Sequence, residues 1–288
     1  MSMTTLQDRV AEVLGREVTA IRPLGGGCVG DVAKADFADG GAVVVKIADP
    51  ATGGLDTEGW MLRYLGERTR LPVPRVLHAE PGLLVMSWID TRGSGSVTSV
   101  CQQEAAELLA DLHSITAPTY GLERDTLIGG LRQPNPQTES WLAFFRDHRL
   151  RHMAAEAHAA GRLPAALRDR VDILAGRLDR WLTEPERPGL VHGDMWTGNV
   201  LCGPTGIAGF IDPAIYYADP EVELAFSTLF GTFGESFFRR YGEIRPLAPG
   251  FMEERRDLYN LYPLLVHVRL FGGSYVAAVD RTLDRFLG

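Results

Sequence analysis

The sequence predicts an α+β chain of two lobes: a small N-terminal lobe with an antiparallel sheet plus a helix, and a larger, mainly helical C-terminal lobe that carries a functional hairpin. Three patterns predict it. Residues 18–47 read as three strands separated by glycine turns, Gly25-Gly26-Gly27 and Asp39-Gly40-Gly41. Most of the chain beyond residue 97 has apolar residues at helical spacing. Within that half, the apolar runs Val200-Leu201-Cys202 and Ile207 to Ile211 flank the turn Gly203-Pro204-Thr205-Gly206, with proline where such a turn favours it. A chain of 288 residues suffices for two lobes, expected at 1–89 and 90–288.

The first lobe opens with a helix, since Leu6, Val10, Val13 and Leu14 share one face and Gly15 stops it. In the first glycine turn, missing side chains let backbone N–H groups approach phosphate oxygens. No Gly-Lys-Ser/Thr follows, so it is not a Walker loop. Lys46 is the only charge in the strand Ala42 to Ile47, and Glu58 follows twelve residues later in a helix with Trp60, Met61, Tyr64 and Leu65. A strand Lys facing a helix Glu is how kinases aim an ammonium at α- and β-phosphates. From these residues alone a solvated Lys and a Glu favoured by the helix dipole is the better reading, and the hairpin carrying Asn199 and Asp212 turns it toward the kinase pairing. Leu83 to Ile89 reads as a buried strand, and Asp90 to Ser96 as a polar, glycine-rich linker.

In the second lobe a helix runs from Cys101 to His113, whose His113 reads as a packing residue. Residues 116–138 form a long proline- and glycine-containing stretch. Trp141, Phe144 and Phe145 open a core helix, and another spans about Pro164 to Trp181. Then comes Leu190 to Pro213. Its hairpin sets Asn199 and Asp212 almost opposite each other at the open end, with Asp194 five residues upstream of Asn199. Two carboxylates and an amide are hard oxygen ligands of the kind magnesium takes, usually with substrate phosphates. The order Asp-x4-Asn, then Asp, is also that of the protein-kinase catalytic loop and its metal-binding Asp. Asp194 is therefore expected to orient or deprotonate an attacking hydroxyl, and Asn199 and Asp212 to hold Mg2+. Pro213 is expected to keep Asp212 extended. Glu223 is expected to accept hydrogen bonds from the 192–194 backbone. Helices at Glu235 to Tyr241, Met252 to Phe271 and Tyr275 to Leu287 complete the chain.

His192-Gly193-Asp194-Met195-Trp196-Thr197-Gly198-Asn199 resembles the signature of the fructosamine kinase (ketosamine 3-kinase) family, within the protein-kinase-like fold shared with aminoglycoside phosphotransferases and choline kinases. Asp212-Pro213-Ala214, Tyr217 and Glu223-Leu224-Ala225 fit the same pattern. The resemblance implies ATP held by Gly25, Gly26, Gly27, Lys46 and Glu58, with adenine at Ser87, Trp88 and Ile89. It also implies transfer to a sugar hydroxyl of a ketosamine, such as a glycated amine or lysine. Trp196, Asp125 and Arg269 fall in its substrate region, with His267 nearby, although packing under the loop accounts equally for Trp196 and a solvated helix face equally for Arg269. Thr126 stands where the family often has Asn, and Cys28 where it often has a cysteine in the glycine loop.

The net charge of −8 and pI of about 5.4 argue against nucleic acid or an anionic membrane as partner. No apolar run spans a bilayer and no basic-then-apolar leader opens the chain. Cys28, Cys101 and Cys202 are too few and too scattered for a disulfide framework or a zinc site, so a reducing cytoplasm is expected; the chain is expected to act as a monomer or homodimer. The alternatives are an aminoglycoside or amino-alcohol phosphotransferase of the same fold, and a nucleotide-binding pseudokinase.

Overall fold

The structure, a computed structural model, describes residues 3–25, 31–92 and 97–288. The expected turn glycines Gly26 and Gly27, and Cys28, lie outside the described residues. The chain divides into two compact units, residues 1–104 with 198–213, and residues 105–197 with 214–288.

The first unit is built on a five-stranded antiparallel sheet: β1 (Val18–Pro23), β2 (Asp31–Phe37), β3 (Ala42–Ile47), β4 (Val76–Glu80) and β5 (Leu83–Ser87), in the order β1-β2-β3-β5-β4. Helices α1 (Met3–Leu14) and α2 (Leu55–Arg68) accompany it. Strand alternation divides the valines of β3. Val43 and Val45 join Leu6 and Val10 of α1 in one buried cluster. Val44 packs with Leu55 and Leu62 of α2 in another. Lys46 shares the parity of Val44, so its side chain rises on the α2 face, which carries Glu58. Strand β4 has no clear alternation in its sequence, and its uniformly half-buried side chains explain why.

The hairpin 200–210 groups with this unit. Val200 pairs with Phe210 and Cys202 with Ile207. Phe210 N–H donates to the Pro72 carbonyl (2.8 Å) and Ile207 N–H to Glu104 Oε2 (2.7 Å). A Cβ on Gly209 would lie 2.5 Å from Ile89 Cδ1, so a larger residue there requires the Ile89 side chain to turn aside.

The second unit is mainly helical. Its core centres on Trp141, Phe144 and Phe145, fully buried as their spacing predicts, against Tyr216 and Tyr259. The helix through them is not uniform: Phe145–Arg151 is π-helical, and Pro263 sits inside the helix Arg256–Phe271. The long stretch 116–138 contains a small hairpin, Thr126–Ile128 with Leu131–Gln133. Gly189–Val191, which leads into the loop bearing Asp194, pairs with Tyr216–Ala218. No helix among the described residues is long and apolar enough to cross a membrane.

Candidate functional site

In the first unit Lys46, Glu58 and Asp212 converge. Lys46 Nζ donates to Glu58 Oε1 at 2.7 Å and to Asp212 Oδ1 at 2.6 Å. Burial of Lys46 would by itself pull its pKa down, but the two carboxylates outweigh that and raise it. The ammonium therefore stays charged through the ordinary pH range. Asp212 takes part from a left-handed conformation, φ 54°, which corrects the extended geometry expected before Pro213. Asp tolerates that region better than most residues, and the ion pair to Lys46 holds it there. Asn199, nearly fully buried, stands across the hairpin mouth, where its carbonyl accepts from Ile211 N–H (3.1 Å).

The same unit carries the expected adenine segment. Ser87 N–H donates to the Arg75 carbonyl and Ser87 Oγ accepts from Arg75 N–H, both at 2.9 Å. The Ser87 N–H is thus already committed. Lys34 Nζ lies 4.6 Å from the centre of the Trp88 ring. A Cβ at Gly25 would meet nothing within 4 Å, so its backbone is open to approach.

In the second unit the loop bearing Asp194 is braced from beneath. Glu223 Oε1 accepts from Gly193 N–H at 2.7 Å, as expected, and Glu223 Oε2 lies 2.8 Å from His113 Nε2. His113 Nδ1 lies 2.8 Å from the Tyr241 hydroxyl. All three side chains are buried. Burial would raise the Glu223 pKa, but hydrogen bonding from His113, the His113 and His192 rings and the Gly193 N–H bring it below its ordinary value. The carboxylate is ionised and accepts only, so His113 donates through Nε2. Asp194 itself is half-buried. Gly193 has φ +87°, and a Cβ on it would fall 2.1 Å from the Ala214 carbonyl oxygen. Ala214 N–H donates to the His192 carbonyl at 2.7 Å. We expect Gly193→Ala to destabilise the fold by about 2 kcal/mol and to lower kcat at least roughly tenfold by displacing the loop. Thermal melts and steady-state rates check this, and a wild-type rate contradicts it.

The expected substrate residues all lie in the second unit. Asp125 accepts from Asn135 N–H (2.9 Å) and Arg132 Nε (2.8 Å), so it clamps the 126–133 hairpin beside a cleft of about 590 Å3. Arg269 is half-buried, and its Nε is buried without a hydrogen-bond partner. Trp196 is half-buried and meets Phe230 edge-on at 6.3 Å. Sequence reasoning missed Arg149. It is fully buried, donates to the Pro134 carbonyl (2.7 Å) and Asn135 Oδ1 (2.6 Å), and lies over the Tyr216 ring at 3.9 Å. Its one signal is an Arg at the end of the aromatic run Trp141 to Phe145. The His113–Tyr241 link left no signal, because its members lie 128 residues apart.

Asp219 is a further buried carboxyl. Its pKa is pushed up to about 6 by burial and by Glu221, against hydrogen bonds from Tyr259 and the Glu221 backbone. The folded state therefore binds an extra proton between about pH 4 and pH 6. The stabilisation is full at low pH and lost as pH rises through 6. Asp219→Asn is expected to remove a change in stability of about 3 kcal/mol across that window. Denaturant titrations at pH 4, 5, 6 and 7 test this, and parallel curves for mutant and wild type contradict it.

The profile of the fructosamine kinase family matches residues 2–288. The chain belongs to the fructosamine kinase family. It is 39% identical over 224 residues, 76% of this chain and 72% of the other, to a probable ketoamine kinase of Synechocystis. It is 30% identical over 282 residues, 94% of this chain and 83% of the other, to the chloroplastic protein-ribulosamine 3-kinase of Arabidopsis thaliana. A crystal structure of a Thermobifida fusca protein that carries a fructosamine-3-kinase name superposes with a TM-score of 0.84 at 33% identity, covering 99% of this chain and 100% of that one. The fold of this fructosamine kinase family member is the α+β protein-kinase-like one.

Proposed function

We propose that the protein is an ATP-dependent ketosamine 3-kinase, phosphorylating a sugar hydroxyl of fructosamine or ribulosamine adducts of amines and so acting in deglycation. The observation that carries the reading is the pairing of Lys46 with both Glu58 and Asp212, at 2.7 and 2.6 Å, beside a family signature present without a gap. A pseudokinase would lack one of these groups. The relatives named above supply the acceptor class.

Each group then has a role. Lys46, fixed by Glu58, faces phosphate oxygens and offsets their charge. Gly25 to Gly27 supply backbone N–H groups, and Trp88 and Ile89 border the adenine. Among the described residues no cluster of three or more His, Cys, Asp or Glu is placed to hold a metal alone. Magnesium does not require one, since it takes one or two protein ligands with phosphates and water, and the Asn199 amide and Asp212 carboxylate are hard donors of that kind. When bound, the metal neutralises charge on the transferring phosphoryl group. Asp194 orients the acceptor hydroxyl and takes its proton. Trp196 borders the sugar, and Asp125 and Arg269 belong to the substrate side, Asp125 through the loop it clamps. The acceptor is a small ketosamine or glycated lysine, and the protein acts in the cytoplasm as a monomer or homodimer.

ADP release with fructosyl-lysine, ribulosyl-lysine and an aminoglycoside, with and without Mg2+, tests the reading. Turnover with either ketosamine and not the aminoglycoside supports it. Turnover with the aminoglycoside alone would establish the rival kinase reading.

A further inference from the structure

Five aromatic rings run from the catalytic loop across the second unit. Trp196, whose N–H donates to the Asp194 carbonyl at 3.2 Å, meets Phe230 edge-on at 6.3 Å. Phe230 meets His267 at 4.9 Å. His267 in turn meets Tyr275 at 4.8 Å and Phe271 at 5.7 Å. The rings come from the catalytic loop, the end of the helix Glu221–Leu229 and the two consecutive helices Arg256–Phe271 and Ser274–Leu287. A packing cluster would hide them, yet Phe230 is 36% and Phe271 51% exposed. Trp196, His267 and Tyr275 are half-buried. Among the described residues the exposed large hydrophobic side chains include two aromatic ones, and both lie in this strip.

The strip has a definite chemistry. Burial pushes the His267 pKa down, and its Nδ1 lies 2.7 Å from the Pro263 carbonyl oxygen. That carbonyl only accepts, so Nδ1 carries the proton of a neutral ring. The surface is therefore a run of uncharged aromatic faces, suited to carbon chains and to cations held by the ring quadrupoles.

We propose that this strip binds the amine-side substituent of the substrate, and that it makes the enzyme favour ketosamines whose nitrogen carries an apolar aliphatic or aromatic group. The inference rests on the ketosamine reading above. A ketosamine nitrogen is a secondary ammonium near neutral pH, attached directly to the sugar and to one organic substituent. With the sugar hydroxyl at Asp194, the strip is the surface continuous with that loop through Trp196. Its uncharged rings attract the ammonium and cover the carbon chain, whereas a carboxylate on the substituent finds no partner in the strip.

The test compares kcat/KM for fructosyl-benzylamine with that for fructosyl-glycine, in wild type, Phe230→Ala, Phe271→Ala and Phe271→Tyr. The wild type is expected to prefer the benzyl adduct. Each alanine variant is expected to shrink that preference roughly two- to tenfold, and Phe271→Tyr to retain it. Melting temperatures check that the variants are folded, and a purely structural role would lower both rates without moving their ratio. An unchanged ratio in an active enzyme, or no wild-type preference, overturns the strip. A wild type that phosphorylates neither adduct overturns the ketosamine reading, and the strip with it.

Discussion

Asp194→Asn is expected to lower kcat on a ketosamine by about 10³ while KM for ATP stays within a few-fold of wild type. The substitution keeps the size of the side chain and removes its capacity to take a proton. The loop beneath is held by groups the change does not touch: Gly193 N–H on Glu223, and Glu223 on His113. The loss should therefore appear in kcat and not in the melting temperature. ADP-release kinetics at saturating ATP, with a thermal melt, measure both. Turnover at the wild-type rate would remove Asp194 from the chemistry.

Lys46→Met is the second large effect. The ammonium is buried between two carboxylates, and removing it leaves Glu58 and Asp212 facing each other without a counter-charge. Breaking a fully buried pair costs several kcal/mol, but the Asp212 side chain is 34% exposed, so about 2 kcal/mol is expected here. Activity should fall by about 10² or more, because a fixed positive group aimed at phosphate oxygens is lost. Adding Glu58→Gln should restore part of the stability and none of the activity. Denaturant midpoints and rates for the single and double variants separate the two roles. Recovery of activity in the double variant would show that Lys46 acts only as a structural counter-ion.

How far the sequence disclosed this site depended on how local the signals were. Four strands of the first unit's sheet were legible from their apolar runs and glycine turns, and Lys46 stood out as a lone charge within one of them; the fifth, Val76–Glu80, was not, because its side chains are all half-buried. The pair Asn199 and Asp212 was legible because a proline turn fixes the hairpin that opposes them. Asp212 shows the limit of a local rule. The following proline argued for an extended backbone, but the ion pair with Lys46, 166 residues away, holds φ at 54°. The bracing of Gly193 by Glu223 was among the expectations. The His113 and Tyr241 that complete it were not, because their pairing depends on how separate helices pack. Arg149 was hidden for a related reason, since a buried cation held by carbonyl oxygens and ring faces has no charged partner to betray it in sequence. Asp125 was legible only through the resemblance, and its contacts to Arg132 and Asn135 had no local signal because they depend on how the 126–133 hairpin folds back.

The most direct test of the ketosamine kinase reading is phosphorus NMR of a reaction containing ATP, Mg2+ and fructosyl-lysine. The expected spectrum gains ADP and a sugar phosphomonoester at position 3 in equal amounts, and gains neither with Asp194→Asn. ADP accumulating without a phosphomonoester, or a phosphomonoester forming equally well in the Asp194→Asn enzyme, would contradict it.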